Sequence, residues 1–222
     1  MSKFQEIKDS LASKCLKFSE FFDNEVDVFD YSFIDNKILV IYKLPEDDHF
    51  FREWYCFWYK NGNRKNEYYT EDGDKEGKEC SWYKDGNKNN EFNYKNGERD
   101  GKEYGWYCNG KLRYENNYKN GEQDGEQYSW YENGKLSCKY NYKNGEKDGK
   151  QYGYWDNNEK IAYEFNYKNG EFDGKQSIYY PNELKEYEDN WEDGKRHGIC
   201  RVWKVSGDLL FDVKFNHGEL IK

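Results

Sequence analysis

The residues able to do chemistry are unevenly supplied. Acids and lysines gather around paired glycines, as Lys143, Glu146 and Asp148 do in "NYKNGEKDGK", residues 141–150, and near-copies start at Asn93, Asn117 and Asn166. Such oxygen-rich loops suit calcium, but the spacing matches no EF-hand, and hairpin turn chemistry accounts for the same residues. The six cysteines (Cys15, Cys56, Cys80, Cys108, Cys138, Cys200) contain no C-x-x-C pair, and three histidines give no zinc spacing. His197, in "KRHG", has no Ser or Cys pattern beside it, so no catalytic role follows. With no convergent acid, base or nucleophile, the expectation is a protein that is no enzyme, with no metal and no cofactor.

What positions these residues is a repeat. The glycines of "KNG" and its equivalents, Gly73, Gly97, Gly121, Gly145, Gly170, Gly194 and Gly218, are 24 residues apart with one step of 25. A second glycine follows four residues later, at Gly77, Gly101, Gly125, Gly149, Gly174 and Gly198, and a third recurs at Gly62, Gly86, Gly110 and Gly134, replaced by Asn158 and Glu183 in later units. Two turn signals separated by runs of about eight residues predict one two-stranded hairpin per unit. The first set is read as structural turn glycines. The 25-residue step, near "WDNNEKIA", belongs in a longer loop.

Alternation sets the expected faces. Tyr104, Trp106 and Cys108 share one side of their strand, and Leu112, Tyr114 and Tyr118 one side of the next. The Trp106 and Tyr118 rows are expected to stack as ladders in one buried face. A second row, Tyr59, Tyr83, Tyr107, Tyr131, Trp155 and Tyr180, falls on the opposite side and is the candidate partner-binding stripe, unless lysine stems cover it. Cys80, Cys108 and Cys138 read as inert thiols on strands.

Composition agrees with a thin sheet. Only 35% of residues are hydrophobic while 20% are aromatic, so Tyr, Trp and Phe must supply the packing. The net charge is −9, divided as −5 over residues 1–50 and −4 over 51–222, which argues against nucleic acid as partner and makes anionic lipid an unfavourable one. Residues 1–48 lie outside the repeats. A helix is expected from Lys3 to Phe21 and a strand over "KILVIYKL", ended by Pro45, together a small α/β cap on an array spanning 49–222. No run reaches membrane-helix length and the N-terminus is too polar for a signal peptide; with unpaired cysteines this predicts a cytoplasmic, reducing location.

"EDNWEDGKRHGICRVW", residues 188–203, resembles a MORN repeat, with an aromatic residue, a turn glycine and "HG" four residues on. The "YKNGEKDGKQYGYW" units resemble the MORN variant common in bacterial and large-virus proteins, a group that includes antitoxin components; most carry Asp where the hallmark has His. The resemblance implies a mainly β fold: a single-layer antiparallel β solenoid of hairpins that serves as a binding or scaffolding surface. The leading expectation is binding of a protein partner, or self-association, through a face or the open edge at "DLLFDVKFNHGELI". The alternative is a lipid-headgroup or glycan site built from turn lysines and the exposed aromatic row. The abundance of Asn, Lys and Tyr fits an AT-rich genome, bacterial or viral.

Overall fold

The computed structural model describes residues 27–34, 37–43, 52–59, 61 and 63–221, which hold strands and turns and no helix. The strands before the regular repeats are β1 (Asp27–Ile34), β2 (Lys37–Lys43), β3 (Arg52–Trp58), β4 (Arg64–Glu71), β5 (Asp74–Trp82) and β6 (Lys88–Lys95). Then come β7 (Glu98–Arg99), β8 (Gly101–Trp106), β9 (Leu112–Lys119), β10 (Glu122–Gln123), β11 (Gly125–Trp130), β12 (Leu136–Lys143), β13 (Glu146–Lys147) and β14 (Gly149–Tyr154). The last are β15 (Ile161–Lys168), β16 (Glu171–Phe172), β17 (Gly174–Tyr179), β18 (Lys185–Glu192), β19 (Lys195–Arg196), β20 (Gly198–Trp203), β21 (Leu209–Asn216) and β22 (Glu219–Ile221). All pairing is antiparallel in a single open sheet, in which β7, β10, β13, β16 and β19 pair back on the strand before them and the long strands follow one another in sequence order.

Of residues 1–48, the helix expected over Lys3 to Phe21 lies outside the described residues. β1 and β2 form a hairpin that continues the sheet through β2–β3 pairing, and β1 was not anticipated from the sequence.

Two turns build each unit. At the first, Asn120 (φ 49°) and Gly121 (φ 81°) join Lys119 to Glu122 as a two-residue type I′ turn, whose twist matches that of the strands. The turn glycines Gly73, Gly97, Gly145, Gly170, Gly194 and Gly218 have the same positive φ. Each interior one also stacks on its predecessor: the Gly121 N–H donates to Arg99 O and that of Gly145 to Gln123 O, both at 2.9 Å. At the second turn the Tyr107 N–H donates to Lys111 O and that of Gly110 to Tyr107 O, closing a three-residue loop. The 25-residue step sits in the matching loop, where Trp155 N–H reaches Lys160 O; the left-handed residue there is Glu159, not Asn158.

The second glycine of a unit closes a bulge rather than a turn. Tyr118 pairs with Gln123, but Glu115 pairs with Tyr128, so two extra residues, Asp124 and Gly125, are accommodated. The Asp side chain is used here. Asp100 Oδ2 accepts from the Asn120 N–H, Asp124 Oδ2 from Asn144 and Asp148 Oδ2 from Asn169, each at 3.3 Å. The first Asn of the motif spans the bulge: Asn141 Nδ2 donates to Lys150 O at 2.5 Å. "NYKNGEKDGK" is therefore a junction in which Asn141, Lys147, Asp148 and Lys150 each have a structural partner.

Register overturns the expected faces. Gly105 pairs with Tyr114 and Gly101 with Tyr118, whereas Tyr104 pairs with Glu115. The Trp106 row is thus on one face, with Tyr104 and Glu115, and the Tyr118 row on the other, with Gly105 and Glu103. Because the second loop shifts register between Gly105 and Trp106, alternation within each strand could not fix how the two strands matched. Nor is the centre an aromatic core. Among the described residues the buried apolar ones are Trp54, Cys56 and Cys200, against ten buried polar ones including Glu103, Gln127, Gln151, Gln176 and Asp189.

The buried glutamines have a defined task. Gln127 accepts the Asn117 N–H at 2.9 Å and donates to Asn117 O at 2.9 Å; Gln151 does the same for Asn141 and Gln176 for Asn166. Each side-chain amide substitutes for the ladder bonds that the bulge removes, as buried backbone groups require. In two earlier units the position holds Glu79 or Glu103, paired with Lys75 at 2.7 Å and Arg99 at 2.8 Å.

Candidate interaction surface

The predicted partner-binding row is engaged inside the array. The hydroxyls of Tyr59, Tyr83, Tyr107, Tyr131 and Tyr180 donate to the carbonyls of Trp82, Trp106, Trp130, Tyr154 and Trp203 in the following units, at 2.7 to 2.9 Å. Trp155 does so through Nε1, 3.2 Å from Tyr179 O. All six side chains are half-buried. This row binds each hairpin to the next.

On the Trp106 face, carboxylates and rings alternate across the sheet through the pairs Cys80–Glu91, Glu91–Tyr104, Tyr104–Glu115 and Glu115–Tyr128. Lysines close over them: Lys102 lies 2.6 Å from Glu115, Lys150 2.8 Å from Glu164 and Lys175 2.8 Å from Glu188. Burial pushes the Glu188 carboxyl up, but hydrogen bonds from Lys175 and Lys185 outweigh it and hold the group below the usual range; Glu91, between Lys88 and Lys78, is lowered likewise. Burial keeps the Cys80 thiol up at about 11, so it is a poor nucleophile. Cys108 is on the Tyr107–Gly110 turn and exposed, not on a strand.

On the other face, rings and cations interleave. Arg99 sits over Phe92 and Tyr118, and Lys147 over Tyr140 and Tyr167, each within 5.3 Å of the ring centroid. The intercalating residue is the variable one of "NGExDG": Arg99, Gln123, Lys147 and Phe172. Small residues line the middle, and Tyr114 covers Gly105 so closely that a Cβ there would lie 2.2 Å from its ring. Burial pushes the Tyr114 hydroxyl up to about 12, aided by Glu103. A shallow groove on this face is lined by Phe165, Phe172, Ile178, Trp191 and Val202. At its floor Asp189, 1% exposed, receives Tyr187 Oη at 2.5 Å and Trp191 Nε1 at 2.6 Å on one oxygen, with Arg196 3.3 Å away.

The turn margin carries no basic strip. The exposed Lys95, Lys119, Lys143 and Lys168 stand across their turns from the exposed Glu98, Glu122, Glu146 and Glu171. Apolar exposure concentrates instead at the last hairpin: Leu209, Leu210 and Phe211 are 50 to 52% exposed, Leu220 61% and Ile221 42%. β22 pairs only with Lys214, Phe215 and Asn216, so among the described residues no strand covers the outer edge of Leu209 to Val213. The equivalent stretch of β9 is covered by β11 at Tyr114 and Glu115.

No curated protein matches the chain. The family described as "MORN repeat variant" matches residues 75–96, 99–120 and 123–144, three consecutive copies in step with the 24-residue period. MORN repeats are in general interaction and scaffolding units that engage proteins or membranes. Joined to the hairpin geometry, the match identifies residues 75–144 as three consecutive MORN repeats of the variant type.

Proposed function

We propose that the chain is a protein–protein interaction module whose partner adds a strand to the outer edge of β21. The observation that carries this reading is the coincidence of unpaired strand edge and exposed Leu209, Leu210, Phe211, Leu220 and Ile221 in one hairpin. Main-chain bonds to such an edge supply affinity, and apolar side chains on alternating faces supply selectivity. Neither face offers comparable apolar exposure, because its rings are half-buried and capped by cations. A second copy of the chain is one form of this partner.

The test is affinity capture with the full chain and with Leu210→Lys/Phe211→Asp, alongside sedimentation at high concentration. A protein captured, or a dimer formed, by the natural chain and lost in the variant is the expected result. Equal capture by both, or no captured protein together with a strictly monomeric mass, overturns the proposal.

A further inference from the structure

Three positions meet at every junction between units: the residue entering the type I′ turn, the bulge residue five places later, and the first turn residue of the next unit. In successive junctions they are Glu71, Glu76 and Asn96; Lys95, Asp100 and Asn120; Lys119, Asp124 and Asn144; Lys143, Asp148 and Asn169; Lys168, Asp173 and Asp193. At the last junction they are Glu192, His197 and His217, and no other junction carries histidine at these positions. The hydrogen bond from the Asn N–H to a carboxylate, made by Glu76, Asp100, Asp124 and Asp148 in four earlier junctions, gives way to two imidazoles 4.8 Å apart between centroids.

The three side chains converge. Glu192 Oε2 lies 3.4 Å from His197 Nδ1 and 3.9 Å from His217 Nδ1, and a ligand atom from each residue falls within 4.8 Å of the others. His197 Nδ1 is shielded from solvent yet makes no hydrogen bond. Tetrahedral zinc with bonds of about 2.0–2.2 Å sets its ligand atoms roughly 3.4 Å apart, close to the spacing found. Glu192 and His217 are exposed, so the remaining adjustment is a rotation of side chains and not of strands.

We propose that Glu192, His197 and His217 form a binding site for a divalent transition cation of the zinc class, with three protein ligands and a fourth position open to water. Imidazole and carboxylate in this ratio suit zinc, and calcium is disfavoured by the nitrogen donors. The ion would join the β21–β22 turn to the β18–β19 turn and stabilise the final hairpin by mass action.

The test is calorimetric titration of the full, reduced chain with Zn²⁺, compared with His217→Asn and Glu192→Lys. Both variants restore the residue that other junctions carry, so folding is retained and is checked by circular dichroism. We expect one binding event in the natural chain, weakened by about tenfold or more in each variant, since losing a direct ligand costs at least what losing an outer hydrogen-bond partner does. Zinc-induced shifts of the His197 and His217 imidazole resonances should accompany it, together with a zinc-dependent rise in Tm absent from the variants. Variants that bind as the natural chain does place the metal on cysteines and overturn the proposal. So does a natural chain that binds no zinc, which leaves the histidines as ion-pair partners of Glu192 only.

Discussion

The buried amide of each bulge gives a sharp test of how the array is held together. Gln176→Glu exchanges the Nε2 donor, 3.0 Å from Asn166 O and 3.2 Å from Gly174 O, for an oxygen that repels both. It also sets a carboxylate across from Asp189, its register partner, which is 1% exposed. Asn166 O keeps the Asp173 N–H at 3.0 Å, so the main cost is an uncompensated buried carboxylate facing a like charge, an expected loss of ~4 kcal/mol. Gln151→Glu loses the same donor, but its cross-strand partner is Phe165, and Lys147 stands four residues earlier, where Lys75 and Arg99 pair with Glu79 and Glu103. That cation returns part of the loss, leaving ~1–2 kcal/mol. The assay is urea denaturation at pH 7 followed by Trp fluorescence, with hydrogen exchange at the Asn166 and Asn141 amides, because a repeat array need not unfold in one step. Equal losses, or a larger one for Gln151→Glu, would refute the roles given to Asp189 and Lys147, and no loss in either variant would refute the assignment of these side chains as substitutes for ladder bonds.

Three other outcomes are expected. Gly105→Ala should destabilise by about 1–3 kcal/mol through overpacking against Tyr114, and Tyr114→Cys, which reproduces the Ser129–Cys138 pair of the next unit, should relieve the clash; thermal melts of the single and double variants check this. Tyr107→Phe removes the bond to Trp130 O and should cost about 1 kcal/mol while leaving partner capture intact, whereas unchanged stability with lost capture would restore the row as a binding stripe. The Glu188 carboxyl is lowered, so the stability it contributes is present above the unfolded value of about 4.3 and is lost as pH falls through the lower folded value. Urea midpoints should therefore drop more between pH 5 and pH 3 in the natural chain than in Glu188→Gln.

The array was legible because turn chemistry is local. Asn-Gly and Asp-Gly pairs at a fixed period demand left-handed backbone, and the hairpins follow from where those pairs fall. The contacts between units were not legible for a related reason. Tyr107 and its equivalents look like an exposed stripe when only strand alternation is considered, but their hydroxyls reach a carbonyl 23 residues away, in the next unit. The burial of Gln127, Gln151 and Gln176 is not evident from the sequence, because a polar residue at a strand start suggests solvent; their 24- and 25-residue spacing is the available signal. His197 and His217 are separated by 20 residues, a distance that fits no zinc motif, and the stacking of junctions alone brings them together.

By itself, then, the sequence determined the period, the hairpins and the sites of the turns, since backbone preferences of Gly and Asn act over a few residues. Which side chains share a face was decided only in three dimensions. A one-residue difference in loop or bulge reverses every side chain beyond it, and the register that chooses among these outcomes depends on hydrogen bonds between strands and between units.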